Sequence, residues 1–317
     1  MIESVLLRAL DALPLEETFY PLGFPVCIST NSEALLRIAR AEWGAWRAAF
    51  EEPAIHLRIE VSNVTGPKPP PAEFRAHRHL FAFVADAGNF AVCDTRTRTG
   101  AAWLTASTAQ DAVYFRYYFL EGMAWLFIEC LYLTPIHATC VVLGGHGVLL
   151  CGDSGAGKST LAYACARRGW TYITDDASYF IRRRNEPVVI GNSHRIRLRP
   201  DAARMFPELA GHTPILRGNG KLSLELWTRD LESIVAIPSA RVDRVIFLER
   251  KPGEKTRFKP FGKTEARAWC ERVLFAWDPE VATEQSGNLS VLLNACEVQA
   301  LEYSDFDAAV EALSHPS

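Results

Sequence analysis

The chain is expected to be an α/β protein, α+β overall, in two parts: a smaller amino-terminal α+β domain over residues 1–133 and a phosphate-loop domain over 134–317. Three observations predict this. Gly152-Asp153-Ser154-Gly155-Ala156-Gly157-Lys158-Ser159 fits G-x-x-x-x-G-K-[ST], with an apolar run before it and a helical pattern after it. The first third carries alternating strand patterns and one amphipathic helical spacing. At 317 residues, 49% hydrophobic and 22% charged, the chain can fill two modest cores.

In chain order, the apolar run Tyr20 to Ser29 predicts a strand. Thr30 to Glu33 then opens a helix carrying Leu35, Leu36, Ile38, Ala39, Trp43 and Trp46. Ile55 to Val61 alternates as a half-buried strand does, and the prolines of Gly66 to Pro71 enforce a surface loop. His79 to Val84, Asn89 to Asp94 and Ala101 to Ala106 predict an antiparallel meander, turning first at Asp86 to Asn89. A long helix from about Gln110 to Tyr132 closes the domain. Its stretch Tyr117 to Leu133 approaches the length of a membrane span but contains Glu121 and Glu129, which predicts a buried helix.

Beyond Thr134-Pro135, the strands Ala138 to Leu143 and Gly147 to Cys151 flank the turn Gly144 to His146, and a helix from Lys158 to Arg168 follows the glycine-rich loop. Gly169 ends that helix. Trp170 to Thr174, Ser178 to Arg183, Arg195 to Leu198, Leu222 to Leu226 and Val242 to Leu248 read as strands. From Thr264 on, the pattern gives two helices, a strand at Val298 to Tyr303 and a short final helix.

A net charge of -3 and a pI near 6.3 give no general attraction to nucleic acid or anionic membrane, so neither is an expected partner. The eight cysteines form no CxxC pair and read as reduced core thiols. Glu3 stands where a signal peptide would carry positive charge, which points to the cytoplasm.

In the glycine-rich segment the backbone can wrap phosphate oxygens with successive N–H groups, aided by the positive start of the next helix. Gly152, Asp153, Ser154, Gly155, Ala156, Gly157, Lys158, Ser159 and Thr160 are therefore the expected nucleotide cradle. Lys158 would bridge the β- and γ-phosphates and Ser159 would ligate Mg²⁺. Asp175 and Asp176 end the next apolar strand; adjacent strand residues point to opposite sides, so they should divide two tasks, proton acceptance and the holding of metal or water. Alternation puts Arg195, Arg197 and Arg199 on one strand face, a basic edge that either grips phosphate or is solvated. Lys221, in Gly218-Asn219-Gly220-Lys221, is a second candidate cation.

His137, Gly145-His146-Gly147, the 152–159 segment, Arg168-Gly169 and Asp175-Asp176, in this order and at these intervals, strongly resemble the bacterial HPr kinase/phosphorylase family within the phosphoenolpyruvate-carboxykinase-like kinases. The resemblance covers about Ile136 to Ala177. It implies a kinase using ATP and Mg²⁺ on a serine-type hydroxyl, with Asp175 as base, Asp176 as metal or water ligand and His137 near the phosphates. Residues 191–200 hold no acid where the family's reversible members have a Glu-Ile-Arg-Gly-type motif, so a kinase without phosphorylase activity is expected, and an acceptor other than HPr. The layout of the amino-terminal part suggests shorter kinases that phosphorylate a peptide serine. A peptide, a protein and a small-molecule hydroxyl all remain open as acceptor, as do a homo-oligomer and a non-catalytic nucleotide sensor.

Overall fold

The computed structural model describes residues 13–182, 186–217, 220–274 and 277–315. Two compact units emerge, one built on residues 13–131 and the other on Tyr132 onward.

The first unit is a seven-stranded sheet in the order β1-β2-β3-β7-β6-β5-β4, formed by Leu15–Phe19 (β1), Val26–Thr30 (β2), Ile55–Ser62 (β3), Glu73–His77 (β4), Leu80–Asp86 (β5), Asn89–Asp94 (β6) and Thr99–Thr105 (β7). β2, β3 and β7 run parallel, and helix α1 (Glu33–Trp43) connects the first two. The alternation read at β3 is a real burial alternation: Ile55, Leu57 and Ile59 are fully enclosed, while His56 faces out. α1 turns Leu35, Leu36, Ala39 and Trp43 inward, the stripe its apolar spacing demands.

The single long helix expected from Gln110 to Tyr132 is instead segmented. Ala106–Gln110 ends before Asp111, whose carboxylate accepts from the Tyr114 amide at 3.0 Å and starts a new turn, Ala112–Phe115. A wider π turn spans Arg116–Leu120, and only then does α2 (Glu121–Leu131) run regularly. No helix among the described residues is long and apolar enough to cross a membrane.

The second unit is a nine-stranded sheet with helices on both faces. Its strands are Leu133–Ile136 (β8), Thr139–Leu143 (β9), His146–Cys151 (β10), Thr171–Thr174 (β11), Ser178–Ile181 (β12), Val188–Gly191 (β13), Ser239–Arg250 (β17), Arg257–Pro260 (β18) and Glu297–Tyr303 (β19). Arg195–Leu198 (β14), Ile215–Leu216 (β15) and Leu222–Trp227 (β16) form a separate small sheet in the order β14-β16-β15. Gly144 and Gly145, both at positive φ, make the two-residue hairpin turn between β9 and β10.

β10, β17 and β19 run parallel side by side, so their carboxyl ends share one edge. On one face, Val148, Leu150, Ile246, Leu248 and Leu301 pack with helices α3 (Lys158–Arg167) and α6 (Phe306–Ser314). On the other, Leu149, Cys151, Val245, Phe247 and Ala300 pack with α4 (Lys263–Glu271) and α5 (Pro279–Ala295). Burial on both faces explains why these strands read as continuous apolar runs. All eight cysteines are buried free thiols.

Candidate phosphate-transfer site

The site begins where β10 ends. Gly152 has φ +147, and a Cβ there would lie 2.9 Å from the Ala156 methyl, so the chain can double back only with glycine. Gly157, at φ +90, is tighter still: a Cβ would meet the Tyr303 hydroxyl at 2.2 Å. That hydroxyl donates to the Ala156 carbonyl at 2.5 Å, so the last strand of the sheet props the loop from below. α3 then starts at Lys158 and carries Ser159 and Thr160 on its first turn.

Lys158 is almost entirely buried and donates from Nζ to the Gly152 carbonyl at 2.6 Å. Burial lowers its pKa from the ordinary lysine value, and the nearby Asp176 carboxylate opposes that shift. Exposed Arg199 reaches the loop at Ser154, with its guanidinium 3.4 Å from the hydroxyl. On the other side, the Trp269 indole N–H and the Arg272 guanidinium both donate to one oxygen of Asp153, each at 3.2 Å.

The two aspartates that follow β11 sit in opposite environments. Asp175 is 3% exposed; one carboxyl oxygen accepts the Arg197 amide at 2.7 Å, and the other lies 3.1 Å from the Tyr172 hydroxyl. Its backbone carbonyl accepts from the hydroxyls of Thr139, at 2.7 Å, and Ser159, at 3.0 Å. Burial pushes the Asp175 carboxyl up to about 6, although Arg197 pulls the other way. Asp176 is outside this network. Its side chain is 42% exposed, as is that of His137, and the two meet at 3.5 Å. Burial lowers the His137 pKa, and Lys158 and Lys221 lower it further against the pull of Asp176.

The structure places the expected residues as follows. Asp175, read as the base, has its carboxyl turned into the protein, while Asp176 presents the open carboxylate. Arg197, read as a nucleotide contact, has its guanidinium Nε 3.7 Å from Glu225, and it is the backbone amide that serves the site. Arg195 is committed as well, to Glu225 at 2.9 Å and to the face of Trp227 at 4.2 Å. From the basic edge, Arg199 meets the loop at Ser154. Lys221 acts electrostatically on His137; Gly218 and Asn219 before it lie outside the described residues. Tyr172 on β11, Thr139 on β9, Tyr303 on β19, and Trp269 with Arg272 at the end of α4 went unread because they reach the site from four separate parts of the chain.

Residues 132–199 match the model of the HPr Serine kinase C-terminal domain. The chain is 35% identical over 91 residues to the HPr kinase/phosphorylase of Lachnoclostridium phytofermentans, covering 29% of this chain and 27% of that protein. With that of Caldicellulosiruptor bescii it shares 33% over 114 residues, 36% of this chain and 31% of the relative. The chain thus spans between a quarter and a third of the length of these curated relatives. Among solved structures, the Hpr(Ser) kinase/phosphatase from Coxiella burnetii aligns with 57% of this chain and 92% of its own, at 14% identity and a TM-score of 0.30. Through residues 132–199, which contain the loop, His137 and both aspartates, this chain is related to the HPr kinases.

Proposed function

We propose that this chain is an ATP- and Mg²⁺-dependent kinase that transfers the γ-phosphate to a serine-type hydroxyl of a peptide or protein. One observation carries the reading: the open carboxylate of Asp176 lies beside His137 and bears electrostatically on Lys158, the lysine of the glycine-rich loop.

Phosphoryl transfer needs in-line positioning, stabilisation of charge on the transferring group and an acceptor for the hydroxyl proton. The loop amides and the start of α3 supply the cradle, and Lys158 and Arg199 the positive charge. Asp176 takes the proton: its carboxylate is accessible, whereas that of Asp175 is buried. His137, kept uncharged by its surroundings, orients the Asp176 carboxylate. Asp175 is a positioning residue that ties β9, α3, β11 and β14 to one side chain and its carbonyl.

The donor set suits Mg²⁺, which prefers oxygen ligands and keeps much of its shell as water and phosphate. Ser159 spends its proton on the Asp175 carbonyl, which leaves oxygen lone pairs for a metal, and Asp176 is a second oxygen donor. A bound ion would neutralise charge on the phosphates. Because residues 191–200 hold no acid, the reaction is read as running toward phosphorylation only.

The test is mass spectrometry of candidate peptides and proteins after incubation with ATP and Mg²⁺. Phosphoserine dependent on Asp176 is expected; phosphate found only on free metabolites would refute the acceptor class.

A further inference from the structure

Asp153 places a carboxylate on the crest of a loop whose proposed ligand is a polyanion, an arrangement that repels its own ligand unless the charge is answered. The answer comes from α4 and the residue that follows it. Trp269 Nε1 and Arg272 both donate to the same Asp153 oxygen at 3.2 Å, and the Arg272 guanidinium lies over the Trp269 ring at 5.3 Å. The ring is itself fixed: it meets Phe247 edge-on at 5.3 Å, and Phe247 stacks on Phe261 at 4.1 Å. Ala266 and the neighbouring Cys270 anchor α4 in the core beneath. The clamp is therefore mounted on a helix packed against the sheet, although its ion pair is solvent-exposed.

We infer that Trp269 and Arg272 are positioning residues for nucleotide binding: they neutralise Asp153 and hold its carboxylate toward α4, away from the phosphate groups of ATP. The inference rests on the nucleotide-binding reading above. It treats Arg272 not as a phosphate contact but as the partner that makes an acidic loop residue tolerable.

The experiment measures binding of ATP with Mg²⁺ by calorimetry, alongside kcat and KM, for Arg272→Ala, Trp269→Phe and the double variant Asp153→Asn/Arg272→Ala. Arg272→Ala should weaken binding up to about fivefold, the scale of one exposed ion pair, with kcat retained. The loss should shrink as salt rises, because the freed charge is exposed. Trp269→Phe should weaken binding in the same sense, since it removes the fixed N–H donor but keeps a ring. Asp153→Asn in the Arg272→Ala background should restore the affinity. Unchanged binding in Arg272→Ala overturns the inference. So does a loss that Asp153→Asn fails to restore, which would make Arg272 a direct phosphate ligand. A wild-type protein that does not bind ATP with Mg²⁺ overturns the nucleotide reading and this inference together.

Discussion

Replacing Asp175 with Asn separates two roles that neighbouring carboxylates are easily given together. In the ionised form, one Tyr172 hydroxyl proton must serve both the Asp175 oxygen at 3.1 Å and the Arg195 carbonyl at 2.9 Å. With a proton on Asp175 the pattern closes: the acid donates to the Tyr172 oxygen, Tyr172 donates to the Arg195 carbonyl, and the second acid oxygen accepts the Arg197 amide. An asparagine side chain reproduces this pattern without a titratable proton.

The energetic scale follows from the shift of Asp175 from 3.8 to about 6. Because the folded-state value is raised, the group's favourable contribution is fully present below the unfolded value and is lost as pH rises through about 6. Two pKa units correspond to about 3 kcal/mol at and above neutral pH, roughly half of which accrues between pH 5 and 8. Asp175→Asn should therefore become more stable relative to wild type as pH rises from 5 to 8, read from denaturant midpoints, and it should still transfer phosphate. An advantage that does not grow with pH refutes the buried-acid account. A well-folded Asp175→Asn that binds ATP but transfers nothing would return the base to Asp175.

Asp176→Asn should lose about a hundredfold or more in kcat, the usual yield of a positioned proton acceptor; a normal rate would exclude it from that role. Lys158→Ala should weaken ATP binding about tenfold or more, as followed by calorimetry. Gly157→Ala should destabilise the protein by about 2 kcal/mol or more, because the residue combines positive φ with a 2.2 Å approach to Tyr303; a thermal melt checks this. Arg199→Ala should raise KM for ATP with kcat little changed, whereas Arg197→Ala should act mainly on stability through Glu225.

Most of the second unit's central strands were legible because burial on both faces writes long apolar runs, and α3 because a glycine loop marks its start and Gly169 its end. β1, β4, β8, β13, β15 and β18 escaped. β4 is exposed at every residue, so no core imprints a pattern on it, and β18 (Arg-Phe-Lys-Pro) is charged and ends in proline. The site was legible as a residue set and illegible in its orientation. Alternation says that Asp175 and Asp176 diverge, but which of them faces the core depends on Tyr172 and on β14. Likewise, Arg195, Arg197 and Arg199 share a face in sequence, yet Glu225 on β16 captures the two that lie in β14. The Asp153 partners lie 116 and 119 residues away, beyond any local pattern.

The Tyr303 prop has a consequence for how the molecule comes into being. Residues 152–159 leave the ribosome long before β19 does, yet the loop's tightest corner is shaped against the Tyr303 hydroxyl and the Phe306 ring. A nascent chain ending before Glu297 has the whole nucleotide motif and lacks the strand that braces it. Competence to hold ATP should consequently arrive late in synthesis, once 297–306 has joined the sheet, and stalled or truncated products carrying the motif should be poor competitors for nucleotide.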